Sequence, residues 1–268
     1  MKGKRITRFI LIFVLSGISF FLLTMPFHRI FSVFTVSEVR PSAVLYPLLG
    51  ISFGWPSAFG IMTANFISDA VNGYSAAVLA EGIIPQLLYT MIPYYLWKRL
   101  MRGDEHQHRL DSAGRMLKFV LICFSFAVIS GLGVGLIVYV NFHADFWSAA
   151  LFVLLNNFDV SVILGCPLMV IANQVISRRS GTKRVLSRNE IIILITAAAE
   201  AAATAILVIT VYSGGKTIGT YDIWNTIYLL SLPVNNLIIL LSLIVMAIFG
   251  KAERHPADQN ARQNDETD

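Results

Sequence analysis

The chain has 268 residues, of which 56% are hydrophobic and only 14% charged, far from the balance of a soluble domain. With a mean hydropathy of +0.67, this composition excludes soluble enzymes, nucleic-acid modules and secreted disulfide scaffolds, and leaves an all-α polytopic membrane protein whose solvent is mostly lipid. The net charge of +5 would suit a nucleic-acid partner, but the basic residues follow a membrane topology instead.

Lys2, Lys4, Arg5 and Arg8 precede the apolar run Phe9–Phe27. The run has the ~20 residues needed to span a bilayer and no small-residue cleavage site follows it, so it reads as a retained first span and not as a signal peptide. Val39–Val71 comes next, apolar but punctuated by Pro41, Pro47, Gly50, Gly54, Pro56 and Gly60. Its halves, Pro41–Phe53 and Ser57–Ala70, each cover roughly 20 Å as helix, short of a hydrocarbon core of about 30 Å. They read as a pair of short or re-entrant helices. Five further long spans are expected at Ser75–Trp97, Phe119–Val140, Phe146–Ile176, Ile191–Tyr212 and Ile223–Phe249. The layout is six long spans plus the short pair, about eight membrane segments in one domain over residues 1–250, with a polar, disordered cytoplasmic tail at 251–268.

With the N-terminus inside, all of the 21 Lys and Arg residues except Arg29, Arg40 and Lys216 face the cytoplasm. That is the positive-inside bias, and it places both termini in the cytoplasm of a cell-membrane protein.

Polar residues inside the apolar runs are few, and a carboxylate at bilayer depth costs several kcal/mol unless it meets a partner or a wet cavity. The candidates for lining or gating a binding pocket are Arg40, Asn65, Asp69, Glu81, Asn156, Asn157, Asp159, Glu200 and Asn235. Structural readings compete with each. Glu200 stands in the alanine-rich run Ala197–Ala205, where one polar group can glue two close-packed helices. Asn235 follows Pro233, whose kink frees a carbonyl that an amide can satisfy. Asp69 can end its helix in solvent or pair with Arg40, and Glu81 can sit at a helix N-terminus. Three polar residues in four positions, Asn156, Asn157 and Asp159, followed by Pro167, suggest a helix interrupted at mid-membrane to turn backbone toward a ligand.

Other motifs carry less. Cys123 and Cys166 lie inside apolar runs without metal or disulfide spacing and read as small hydrophobes. His106 and His108 belong to a charged cytoplasmic turn. The sequence GLGVG at residues 131–135 lies within a span and reads as close helix packing, not as a nucleotide fingerprint. No Walker, nucleophile-elbow or zinc-protease motif is present, so no catalysis, cofactor or metal is expected.

The segment Ser37–Asp69, SEVRPSAVLYPLLGISFGWPSAFGIMTANFISD, resembles the substrate-binding S components of energy-coupling factor transporters. The features that carry the resemblance are Arg40-Pro41, the spacing of Gly50, Gly54 and Gly60, Phe53 beside Gly54, and the polar ending from Asn65 to Asp69. It implies a binder of a vitamin-like micronutrient, with its pocket open to the outside, that associates with a membrane coupling subunit and two cytosolic ATPases. The chain departs from the pattern in its extra hydrophobic segments. Its first helix also lacks an alanine-x-x-x-alanine surface, the alanine-rich surface lying on the Ile191–Tyr212 segment instead. The expected function is the small-molecule binding subunit of a micronutrient importer. The alternatives are a ligand-sensing regulatory membrane protein or a proton-coupled carrier using Asp159 or Glu200.

Overall fold

The computed structural model describes residues 2–25, 32–33, 37–38, 40–102, 109–179 and 185–213, with five isolated helical positions between 241 and 248. Seven α-helices run through it in chain order: α1 Lys2–Thr24, α2 Leu45–Phe53, α3 Trp55–Val71, α4 Ala76–Leu100, α5 Ala113–Phe142, α6 Phe146–Arg179 and α7 Arg188–Ser213. Two strands of two residues, β1 Ser32–Val33 and β2 Ser37–Glu38, pair antiparallel after α1, and a 3-10 turn at Pro41–Val44 leads into α2.

Among the described residues, four helices are long and apolar enough to cross a membrane: Gly3–Thr24, Ala76–Leu100, Ala113–Phe142 and Phe146–Val175. They coincide with four of the six expected long spans. The fifth corresponds to α7, which is not among the four, and Ile223–Phe249, with Asn235, lies outside the described residues apart from the isolated positions.

Solvent logic is inverted across these helices. Leu132, Leu136, Leu151, Leu155 and Ile171 are exposed, while Asn65, Ser130, Asn156, Asp159, Ser161 and Glu200 are buried. Apolar side chains outward and polar ones inward is the arrangement that a hydrocarbon solvent selects.

The short pair forms as expected, and its punctuation explains it. Pro41 opens the 3-10 turn and Pro56 lies in the first turn of α3, where a missing N–H is no loss. Gly54 separates α2 from α3 at φ 66° and ψ −130°, a conformation that only glycine adopts at low cost. With 9 and 17 residues, α2 and α3 rise only about 14 and 25 Å. Two glycines then set helix spacing: Gly17 of α1 meets Gly60 of α3, where an added Cβ on Gly17 would lie 3.1 Å from the Gly60 carbonyl oxygen.

One expectation is overturned. α6 is not interrupted at Asn156–Pro167; it is a continuous helix of 34 residues with Pro167 inside it. Its polar side chains find partners on neighbouring elements without opening the backbone: Asn157 donates to the Ser130 hydroxyl of α5 at 2.8 Å, and Ser161 donates to the Ala43 carbonyl at 3.4 Å. Neighbouring groups of this kind make proline tolerable within a membrane helix.

Among the described residues, two large apolar clusters fill most of the interior, with a small third one at Phe152 and Val153. Trp97, Phe119, Cys123, Cys166, Met169 and Ile193 join α4, α5, α6 and α7 near the end of the bundle that carries Lys98, Arg99 and Lys118. Phe20, Val44, Tyr46, Ile61, Tyr89 and Phe126 join α1, α2, α3, α4 and α5. Tyr46 is the centre of the second cluster, 5.2 Å from the Phe126 ring, 5.3 Å from Phe20 and 5.8 Å from Tyr89.

Candidate functional site

A cavity of about 80 Å³ lies directly on the Tyr46 cluster, lined by Arg40, Ser42, Ala43, Tyr46, Gln86, Tyr89, Ser130, Val134, Val153, Asn156 and Asn157. It holds several waters' worth of space. The lining comes from Arg40 and the 3-10 turn that follows it, the start of α2, the middle of α4, the second half of α5 and the first half of α6. These portions share one end of the bundle, opposite the basic end marked by Lys98, Arg99 and Lys118.

The hydrogen bonding around the cavity leaves defined groups for a ligand. The Tyr46 hydroxyl donates to the Gln86 side-chain oxygen, so the Gln86 amide nitrogen keeps its donors. Tyr89 reaches the Ser130 carbonyl at 3.5 Å, and the Ser130 hydroxyl, itself bonded to Ala127 at 3.1 Å, receives Asn157. Asn156 is 1% exposed, and its side-chain oxygen has no hydrogen-bond partner among the described residues. Its nitrogen makes only a long bond of 3.4 Å to the Asn157 oxygen. A buried amide oxygen left unpaired is costly, and here it borders a cavity where a ligand donor or water can satisfy it. The wall therefore offers two tyrosine rings, a guanidinium, amide donors and one open acceptor.

Arg40 is positioned by α3. Its guanidinium reaches the Asn65 oxygen at 3.4 Å and stands 4.0 Å from the Asp69 carboxylate, while the Asn65 nitrogen donates to Asp69 at 2.6 Å. Asn65 and Asp69 occupy successive turns of one helix face, which makes this chain of contacts possible.

Of the candidates named from sequence, Arg40, Asn156 and Asn157 line the cavity, and Asn65 and Asp69 stand behind Arg40. Glu81 is not in the cavity: it is exposed near the start of α4 and accepts from Asn141 of α5 at 2.7 Å. Asp159 is buried at 4% exposure one turn along α6 and is not a lining residue. Glu200 lines a separate small cavity between α6 and α7. Asn235 lies outside the described residues. Among the described residues, no group of three or more His, Cys, Asp or Glu side chains is placed to hold a metal ion. Sequence reasoning passed over Ser42, Tyr46, Gln86, Tyr89 and Ser130 as site residues. Gln86, an amide in the middle of an apolar run, was the visible signal among them.

Residues 13–174, more than half of the chain, match the family model described as the QueT transporter. The chain belongs to the QueT transporter family. This is a family of energy-coupling factor S components, in keeping with the resemblance carried by Ser37–Asp69. The matched stretch contains every residue of the cavity and ends within α6, so α7 lies outside it. No curated protein and no solved structure matches the chain. Membership in the QueT family makes it a multi-pass membrane transporter component for small-molecule uptake.

Proposed function

We propose that the chain is the substrate-capturing subunit of an importer for a queuosine precursor, a flat purine-like heterocycle, and that it performs no catalysis itself. Family membership suggests queuosine-precursor uptake, and the cavity chemistry supports it. Tyr46 and Tyr89 offer aromatic surfaces for a flat ring, and Asn156, Asn157, Gln86 and Arg40 offer the acceptor and donors that an amide-bearing heterocycle pairs with. The observation that carries the reading is the open Asn156 oxygen beside those tyrosines.

The basic residues orient the bundle. Lys98, Arg99, Arg109, Arg115 and Lys118 gather around the α4–α5 connection, which the positive-inside rule assigns to the cytoplasm. The cavity then opens to the outside and both termini are cytoplasmic, with about eight membrane segments in all. As an S component, the protein would deliver its ligand through a membrane coupling subunit and two cytosolic ATPases.

Titrating the purified full chain with a queuosine precursor, against guanine and adenine, tests the ligand. Selective saturable binding is expected, and equal or absent binding refutes the assignment. Co-purification of an ATPase pair tests the partners, and uptake by the chain alone in proteoliposomes would identify a secondary carrier instead.

A further inference from the structure

The glycine run at residues 131–135 brings α5 and α6 close enough for their polar side chains to meet. Gly131 and Gly135 lie one turn apart on the α5 face that packs on α6. An added Cβ on Gly131 would fall 2.6 Å from the Ala150 carbonyl oxygen, and one on Gly135 would fall 2.8 Å from the Ala150 Cβ. Small residues at such a contact let two helix backbones approach. Ser130, 1% exposed, directly precedes the run and receives Asn157 across the contact. Gly133 leaves room for the Tyr89 hydroxyl, which donates to the Ser130 carbonyl.

Three side-chain hydrogen bonds then run in one direction. The Asn156 nitrogen donates to the Asn157 oxygen at 3.4 Å, the Asn157 nitrogen donates to the Ser130 hydroxyl at 2.8 Å, and the Ser130 hydroxyl donates to the Ala127 carbonyl at 3.1 Å. The last of these sets the sense of the chain. A backbone carbonyl only accepts, so Ser130, with its one proton spent on Ala127, accepts from Asn157. The nitrogen end of Asn157 is thereby turned to Ser130, and its oxygen end receives the Asn156 nitrogen. With its nitrogen committed to this chain, Asn156 brings its oxygen, an acceptor, to the cavity it lines. A second amide is fixed on the same cavity: Tyr46, held against the rings of Phe20, Tyr89 and Phe126, donates to the Gln86 oxygen and leaves the nitrogen as the donating end.

We propose that Ser130 is a positioning residue for ligand specificity. By holding the Asn157 and Asn156 amides in one sense, it presents Asn156 as an acceptor opposite the Gln86 donor. The cavity thereby selects heterocycles of the lactam class, which bring a ring N–H and a carbonyl oxygen, over rings that carry an acceptor nitrogen in place of the N–H. Such a ring would set acceptor against acceptor, the kind of mismatch that a polar site rejects. The inference rests on the cavity being the ligand site of the proposed function, and adds the edge chemistry it reads and the residue that sets it.

The test compares guanine, a lactam, with 2-aminopurine, which lacks the carbonyl and carries an acceptor nitrogen where guanine carries N–H. Both are titrated calorimetrically into the full chain in lipid nanodiscs, with a queuosine precursor as the control for an intact site. The wild type should prefer guanine by at least about 10-fold. Ser130→Ala releases the two amides and should bring that ratio close to one, mainly by loss of guanine affinity. Asn157→Ala cuts the same chain at another link and should also lower the ratio, so the test survives if Ser130→Ala fails to fold. A purely structural Ser130 would weaken both purines alike, and an unmoved ratio in the two variants overturns the proposal. In an Asn156→Ala background, Ser130→Ala should change the ratio no further; an additional change would mean that Ser130 acts elsewhere and would also overturn it. Equal affinity of the wild type for the two purines, or binding of neither while the queuosine precursor binds, overturns this inference and leaves the proposed function standing. A wild type that binds none of the three overturns both.

Discussion

Replacing Asn156 by alanine separates ligand binding from folding, because the two respond in opposite directions. Among the described residues the Asn156 oxygen is buried without a partner, and its nitrogen makes one long bond of 3.4 Å. Deleting the amide therefore removes little that holds the bundle together. Side-chain hydrogen bonds between membrane helices average about 0.6 kcal/mol, and an unsatisfied buried polar atom costs about 1–3 kcal/mol, so the thermal midpoint should stay level or rise. For the ligand the balance reverses. A donor that pairs with this oxygen contributes about 1–3 kcal/mol, so Asn156→Ala should weaken binding by roughly 5- to 150-fold. Asn157→Ala is the contrasting variant: it breaks a 2.8 Å bond to Ser130 and should lower the midpoint as well as the affinity. Isothermal titration with a queuosine precursor and thermal unfolding of the same preparations give both numbers. If Asn156→Ala binds with unchanged affinity, or loses stability as Asn157→Ala does, the cavity is not the ligand site as described.

Three other perturbations address the scaffold around that site. In Gly60→Ala the new Cβ would fall on the Phe13 carbonyl oxygen of α1, so α1 must move away from α3. The expected cost is about 1–3 kcal/mol of overpacking, seen as a lower thermal midpoint. Arg40→Ala should weaken ligand binding yet change stability by no more than about 1 kcal/mol, because the Arg40–Asp69 pair is partly exposed and 4.0 Å apart; equilibrium binding and unfolding measurements check both. The third perturbation is pH. Asp145 accepts the Ser148 backbone N–H at 2.7 Å at the start of α6, and this bond, helped by the Ser148 hydroxyl, holds its carboxyl below the usual range. Its contribution is present above the unfolded-state value of about 3.9 and disappears as pH falls through the folded-state value. Faster amide exchange in the first turn of α6 at acid pH should therefore be seen in the wild type and should already be present at neutral pH in Asp145→Ala.

The fold was legible where physics is one-dimensional. Span length, proline and glycine punctuation and the distribution of Lys and Arg are properties of the chain itself, so α1, α4, α5, α6 and the α2–α3 pair could be located from them. The reading of α6 as broken erred because a cluster of polar residues says that partners are needed without saying where they stand. Ser130, 27 residues before Asn157, supplies one from another helix and the backbone stays intact. The site was legible to the extent that its members were polar in an apolar run. Arg40, Asn156 and Asn157 stand out on that ground, whereas Tyr46 and Tyr89 look like ordinary membrane aromatics until the fold brings their rings within 5.8 Å.

The four acids that stood out within the apolar runs divide by what their surroundings offer. Glu81 is exposed with an amide partner, and Asp69 faces a guanidinium. Asp159 and Glu200 are buried, and Glu200 borders the small cavity between α6 and α7. Glu81 and Asp69 can stay charged where they are, because water or a partner reaches them, and Asp159 and Glu200 stand instead in the interior of the bundle. The same side-chain type thus plays different parts in one chain. Sequence position alone separated them only by depth, and it is the neighbours on other helices that give each its surroundings.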